Sequence, residues 1–287
     1  MGLNRRDFMK TLGIAGATLT FGKSQANPGT TEEETEFYGM LYDSTLCMGC
    51  QNCEFSCAEA HGLEEPTDSP EIGLVRKADD KHRTVINLHE TSKGEIYMKT
   101  QCMHCNIPAC DAACLTQAMH KTKPGPVVWR GDKCMGCRYC MISCPFDSPK
   151  FEYASTHPKI VKCTMCAERI KENKQPVCAE NCPMGAVTFG TRRDLIKEAR
   201  KRIHDNPEYY HDHIYGEHEA GGTGWLYLAA VPLDEAGFNT KMQKKNYPSL
   251  TKGFIGAIAP VDILLPGVLL GIHAATKSIR KEQEDQS

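Results

Sequence analysis

Cys134-Met135-Gly136-Cys137-Arg138-Tyr139-Cys140-Met141-Ile142-Ser143-Cys144-Pro145 places four cysteines at x2, x2 and x3 spacing. Cysteines at x2 intervals on a tight loop point several thiolates into one concavity. Backbone N–H groups of the same loop then face whatever negative group the thiolates hold. The fourth cysteine, after x3, starts the next turn and points elsewhere. Working outward, three more groups of four repeat the theme. They are Cys47-x2-Cys50-x2-Cys53-x3-Cys57, Cys102-x2-Cys105-x4-Cys110-x3-Cys114 and Cys163-x2-Cys166-x11-Cys178-x3-Cys182, the last followed by Pro183. The four groups use all 16 cysteines of the 287-residue chain.

The first and third groups match the run of bacterial two-cluster ferredoxins, in which the fourth cysteine ligates the other [4Fe–4S] cluster. Four groups therefore predict four [4Fe–4S] clusters in two exchanging pairs, with no ligand missing. The second and third groups are close in sequence and would form an inner unit; the first and fourth would form an outer one. On that nesting Cys102, Cys105 and Cys110 share a cluster with Cys144, and Cys134, Cys137 and Cys140 share one with Cys114. Cys47, Cys50 and Cys53 go with Cys182, and Cys163, Cys166 and Cys178 with Cys57. Two readings compete. Structural zinc also takes Cys-x2-Cys pairs, but as two pairs rather than triplets with a distant fourth member. Eight disulfides fit the count, yet cysteines three apart on a tight loop cannot all bridge locally. Covalent haem needs Cys-x2-Cys-His. The residues after the x2 pairs are Gln51, Glu54, Asn106, Arg138, Met141 and Ala167, so c-type haem is excluded.

Composition agrees with a metal protein. Apolar residues at 40% and charged residues at 24% are a globular balance. A net charge of −2 signals no nucleic-acid or polyanion partner. All cysteines lie between Cys47 and Cys182, which is not the scatter of a reduced cytosolic enzyme. The length argues against a small disulfide scaffold. No Gly-rich nucleotide loop or activated-nucleophile motif is present, so the chain is expected to be a non-catalytic electron carrier.

The two ends carry their own signals. Residues 1–26 hold Arg5-Arg6-Asp7-Phe8-Met9-Lys10, a mild apolar stretch and Ser24-Gln25-Ala26. They read as a twin-arginine export signal. That route carries folded, metal-loaded proteins, so the body is expected in the periplasm. Residues 253–276 are mostly Ile, Leu, Val, Ala and Gly, enough to span a bilayer. Basic residues flank this stretch on both sides, so they do not orient it. The export signal does, leaving 277–287 as a cytoplasmic tail. Pro260 and Pro266 lie inside the span, with one acid, Asp262. An acid in a span is a functional candidate, weighed against an ordinary helix–helix hydrogen bond.

The fold class is α+β: two nested bacterial-ferredoxin-like double-cluster units with short strands and helices, plus one C-terminal transmembrane helix. Residues 37–190 are the four-cluster domain and 191–250 a C-terminal extension and linker. Strands are expected at 37–43, 72–76, 84–88, 95–100, 127–130, 187–190 and 225–231. Thr191 and Asp194 signal the start of a polar helix over 192–204. Residues 232–250 read as a linker running down to the membrane. Met48, Met103, Met135, Met141, Met165 and Met184 read as apolar packing around clusters. His204, His211, His213 and His218 read as a solvated loop rather than a metal site. Tyr139 and Lys162, beside ligands, are either structural or cluster-tuning.

With these residues in view, the chain resembles the four-cluster iron–sulfur subunits of membrane-bound oxidoreductases, a family that serves molybdopterin enzymes and hydrogenases. The likeness rests on the twin-arginine leader and on Gly39-Met40-Leu41-Tyr42-Asp43-Ser44-Thr45-Leu46-Cys47. It also rests on Gln101-Cys102-Met103-His104-Cys105, Gly136-Cys137-Arg138-Tyr139-Cys140-Met141 and Phe189-Gly190-Thr191-Arg192. Tyr215-Gly216-Glu217-His218-Glu219-Ala220-Gly221-Gly222-Thr223 adds to it, and together these cover about 37 to 230 and the anchor. Within the family the chain is most similar to subunits serving periplasmic hydrogenases of the hydrogenase 2 type. The resemblance implies the nested cluster pairing. It also implies a periplasmic catalytic subunit, with hydrogenase small and large subunits favoured, as one partner. A multi-helix, quinone-binding membrane subunit would be the other. The alternative ends for the same wire are periplasmic multihaem cytochromes or a molybdopterin oxidoreductase.

Overall fold

The computed structural model describes residues 36–284. The export signal over 1–26 and the last residues of the tail lie outside the described residues. Strand β1 (Tyr38–Asp43) is buried along nearly its whole length. It is apolar on both faces because it is the middle strand of a sheet covered on both sides. Its neighbours are β8 (Val187–Thr191), antiparallel with Met40 opposite Phe189, and β9 (Trp225–Leu228), parallel with Met40 opposite Trp225. Alternation then sorts the side chains. Met40, Tyr42, Trp225 and Tyr227 point into the main core. Leu41, Leu226 and Leu228 meet Leu195 and Ala199 on the other face. These last two belong to helix α6 (Arg192–Asp205), whose start is capped by Thr191 Oγ1 accepting from Asp194 N at 3.3 Å. The sheet joins residues on both sides of position 190, so 37–190 and 191–250 share one core.

A hairpin of β2 (Thr84–Thr91) and β3 (Gly94–Gln101) lays Ile86, Ile96 and Met98 on that core. Both strands outrun the expected 84–88 and 95–100, because the ladder continues to the turn at Gly94, which has φ +103°. The expected strand at 72–76 is absent from the described structure. Arg76 N donates instead to Asn87 Oδ1 at 2.8 Å, and Asn87 Nδ2 donates back to Arg76 O at 2.9 Å. One asparagine side chain thus takes the backbone partners that a ladder would have used.

The remaining elements are short. Helix α1 (Asn52–His61) follows β1; α2 (Ala109–Ala112) precedes a small hairpin, β4 (Met119–Lys121) with β5 (Val127–Trp129). Helix α3 (Tyr139–Ser143) leads to a two-residue pair, β6 (Lys150–Phe151) with β7 (Ile160–Val161). Helices α4 (Ala167–Lys171) and α5 (Val177–Glu180) complete the body. Strands β4, β6 and β7 are too short to carry a legible alternation in the sequence.

The stretch read as a linker begins inside the core. Leu233 and Ala236 are buried there, and Phe238 packs edge-on against Tyr215 with ring centroids 5.2 Å apart. Its later part stays close too, since Ala220 N donates to Gln243 O at 2.9 Å. Residues 35–250 form one compact unit. A second unit contains the long helix α7 (Pro248–Glu284). Its segment 248–277 is long and apolar enough to cross a membrane. Its 30 residues reach about 45 Å at roughly 1.5 Å per residue. Pro260 and Pro266 lie inside the helix, where each removes one backbone donor.

Candidate metal centres

The cysteine groups sit where loops turn into helices. In the first group Gly49 has φ +72° and Gln51 φ +57°; in the third, Gly136 has φ +73° and Arg138 φ +58°. The two loops therefore repeat one backbone conformation two and four residues after the first cysteine. Left-handed residues set in such a turn direct successive N–H groups inward, the geometry of an anion-binding nest. Gly49 is held for a second reason: a Cβ there would collide with the Tyr97 ring. His104, Met165 and Cys166 play the left-handed role in the second and fourth groups. Gln51, Arg138 and Cys166 then form the N-terminal boundaries of α1, α3 and α4.

All 16 thiols are free of disulfides. Among the described residues no three His, Cys, Asp or Glu side chains converge where a single ion could sit. Mononuclear zinc would need such convergence. A cubane spreads its ligands, since each sulfur meets a different iron.

The electrostatics show which thiols are neighbours. Burial raises the Cys47 thiol, and Cys182 and Cys50 push it the same way. Burial raises Cys53 to about 12, with Lys99 opposing and Glu54, Cys47 and Cys182 adding. Cys57 is also pushed up to about 12, by burial and then by Cys163, with Cys166 adding. Cys178 is raised by burial and by Cys163, Cys53 and Cys166, against Lys99. In the other half, burial raises Cys105 and Cys110, and both feel Cys102 and Cys144. Cys140 rises to about 11 through burial, Cys114, Cys134 and Cys137. So Cys182 lies beside the first group, Cys57 beside the fourth, Cys144 beside the second and Cys114 beside the third. A buried thiol is a poor acid in water but gives up its proton outright to a coordinating metal. The donor set and its surroundings therefore fit iron–sulfur clusters.

Two buried lysines, Lys99 and Lys162, and a half-buried one, Lys121, stand among these thiols. Lys162 Nζ donates to Val127 O and, at 2.9 Å, to Cys163 O, tying β5 to the fourth group. Lys121 Nζ donates to His104 O at 3.2 Å, and burial pulls its ammonium down to about 8. Lys99 is 1% exposed and reaches several thiols at once. Nothing in the sequence singles out Lys99 or Lys121, because a lysine in a strand is ordinarily a solvent-facing residue. Tyr139 is exposed. His211, His213 and His218 are exposed outside regular elements, in keeping with a solvated loop, whereas His204 is exposed on the last turn of α6. Of the six methionines, Met103 and Met165 are buried in the main core, while Met48, Met135 and Met184 are exposed.

An α+β body whose loops aim cysteines inward in ferredoxin spacing defines an iron–sulfur electron carrier. Comparison with known proteins agrees. Residues 94–192 match the 4Fe-4S dicluster domain. A protein of Nitratidesulfovibrio vulgaris (Hildenborough) is 41% identical over 292 aligned residues, covering 98% of this chain and 78% of that one. The hydrogenase-2 operon protein HybA of Escherichia coli O157:H7 is 35% identical, covering 81% of this chain and 82% of that one. The B subunit of the anaerobic dimethyl sulfoxide reductase of E. coli K12 is 35% identical, covering 57% of this chain and 78% of that one. The chain belongs to the family of ferredoxin-type [4Fe–4S] electron-transfer subunits that includes HybA.

Proposed function

We propose that this subunit carries four [4Fe–4S] clusters in two nested pairs. It relays electrons between a periplasmic catalytic subunit of the hydrogenase type and a quinone-reactive integral membrane subunit. The observation that carries the reading is the neighbourhood of the thiols. Each triplet has beside it a fourth cysteine from another group, as in the exchange pattern of two-cluster ferredoxins.

Contacts between sets give an order. Cys53 lies beside Cys178, Cys163 lies beside Cys102, and Cys110 lies in α2 with Cys114 just beyond its end. The path then runs from Cys47, Cys50, Cys53 and Cys182, through Cys57, Cys163, Cys166 and Cys178, to Cys102, Cys105, Cys110 and Cys144. It ends at Cys114, Cys134, Cys137 and Cys140. Exposure supports the order: the exposed cysteines are Cys50 and Cys137, one in each terminal set. Exposed apolar side chains lie near both ends, Leu46 and Met48 at one, Leu115, Met135 and Ile142 at the other. These are the faces on which partners would dock. The clusters, when bound, take up and release single electrons. The chain's own residues hold them, keep water out with Met103, Met165 and Trp225, and space them through the buried middle.

The hydrogenase-type partner is favoured because the alignment with HybA is longer than that with the reductase subunit. The twin-arginine leader and helix α7 support a body exported to the periplasmic face and anchored by its C-terminus. Asp262 lies in that helix, where it would serve the membrane subunit. Anaerobic purification of the intact complex from membranes tests the reading. The expected result is about 16 iron atoms per chain, with hydrogenase subunits and a multi-helix protein co-purifying. About eight iron atoms would sink the four-cluster assignment. Multihaem cytochromes or a reductase in place of hydrogenase would change the partner.

A further inference from the structure

Lys99 is the least expected charge in the molecule. It stands on β3 with Tyr97 and Gln101 on the same face, and it is 1% exposed. Its ammonium donates to Thr84 Oγ1 and, at 3.0 Å, to Gln101 Oε1. Gln101 is held in turn by Tyr227, donating through Nε2 to the phenol oxygen at 2.5 Å. The ammonium also lies over the Trp225 ring, 4.8 Å from its centroid. These partners are all neutral. The buried carboxylates close by are engaged elsewhere: Glu54 with Arg76 and Ile86 N, Asp43 with Arg202 and Tyr210. An ammonium has three donors, and two are used on the residues named.

A buried charge without a counter-ion is costly. The negative groups facing Lys99 are the thiolates themselves. Lys99 lines one small cavity with Cys57, Cys163, Cys166 and Cys178, and Tyr97, on the same face of β3, lies against Gly49 of the first cysteine loop; the charge of Cys53 bears on it as well. Lys99 therefore faces cysteines of both outer sets.

We propose that Lys99 is a positioning residue for electron transfer, a fixed buried counter-charge shared by the two outer clusters that raises their reduction potentials above what the same ligands would give. This rests on the four-cluster reading. Reduction adds one electron and no proton, so the added negative charge is stabilised by a cation held nearby in a low-dielectric core. Thr84 and Gln101 keep the ammonium in place, so it need not move when the electron arrives.

The test is a potentiometric titration of the full complex followed by EPR, with wild type, Lys99→Met, Lys99→Gln and Lys99→Arg. The iron content of the wild type decides the four-cluster reading separately, before any potential is compared. With all clusters loaded, Lys99→Met and Lys99→Gln are expected to lower two of the four midpoints. The expected drop is about tenfold in the reduction equilibrium, roughly 59 mV for one electron. The other two midpoints should hold, and Lys99→Arg should restore the lowered pair. Unchanged midpoints, or an equal fall at all four clusters, overturn the proposal. Where the neutral variants fail to load iron, full loading of Lys99→Arg supports a requirement for the charge. Failure of all three variants reduces Lys99 to a packing role and overturns it.

Discussion

The outer and inner halves of the body use similar cysteine loops but stand on different foundations. In the outer half, helix α1 buries Cys53, Glu54, Cys57 and Ala58, and the loops rest on a core of Met40, Tyr42, Trp225 and Tyr227. In the inner half, α3 buries none of its residues, and the enclosed cluster is Cys110, Met119, Val127 and Ile160. Ile142 on α3 is 81% exposed and Leu115 is 89% exposed. The outer half can hold its shape through apolar packing. The inner half has little packing of its own, so bound clusters would supply much of its order, as in small metal-dependent domains.

The largest expected effect separates the halves directly. Stripping iron with a chelator under reducing conditions should abolish hydrogen-exchange protection over 102–161 while β1, β8 and β9 stay protected. Loss of protection at the same rate in both halves would break the comparison. Next in size, Trp225→Ala empties a fully buried site in the outer core. It should cost about 4 kcal/mol in anaerobic denaturation, and Trp129→Ala, at a partly exposed inner site, clearly less. Equal losses would mean that the inner hairpin is better packed than it looks.

Glu54→Gln sharpens the same point electrostatically. Glu54 is buried on α1, paired with Arg76 at 2.8 Å and accepting from Ile86 N at 2.7 Å. Removing its charge should cost about 3 kcal/mol by leaving the largely enclosed Arg76 guanidinium without its carboxylate. The inner half's Lys150–Asp147 pair is largely open at its acid, and Asp147→Asn should cost well under about 1 kcal/mol. The smallest effect is Thr191→Ala, which removes the cap of α6 and should cost about 1 kcal/mol. A stability change with no loss of helix signal would reassign Thr191 to sheet packing.

Much of this was legible in the sequence, because cysteine spacing is a local property. Three ligands on one loop are brought together by the few residues between them, whatever the rest of the chain does. The helix over 192–205 was legible for a similar reason, since its cap and polar face lie within it. Strand 72–76 misled because its apolar run, Ile72 to Val75, resembles a ladder strand, while the partner that prevents pairing is Asn87. The 232–250 stretch misled because Leu233 and Ala236 are isolated apolar residues with no period to announce burial.

Sequence alone determined the donor set and its spacing: sixteen thiols in four groups, together with an apolar segment long enough for a membrane. Spacing along a chain is enough for each of these. Tertiary structure decided what depends on distant segments meeting. It set Cys182 beside Cys47 and Cys53, built 225–238 into the same core as 38–43, and enclosed Lys99 beside cysteines of the first and fourth groups. A lysine's burial is decided by what packs over it, here Trp225 and the cysteine loops, and no pattern within β3 announces that.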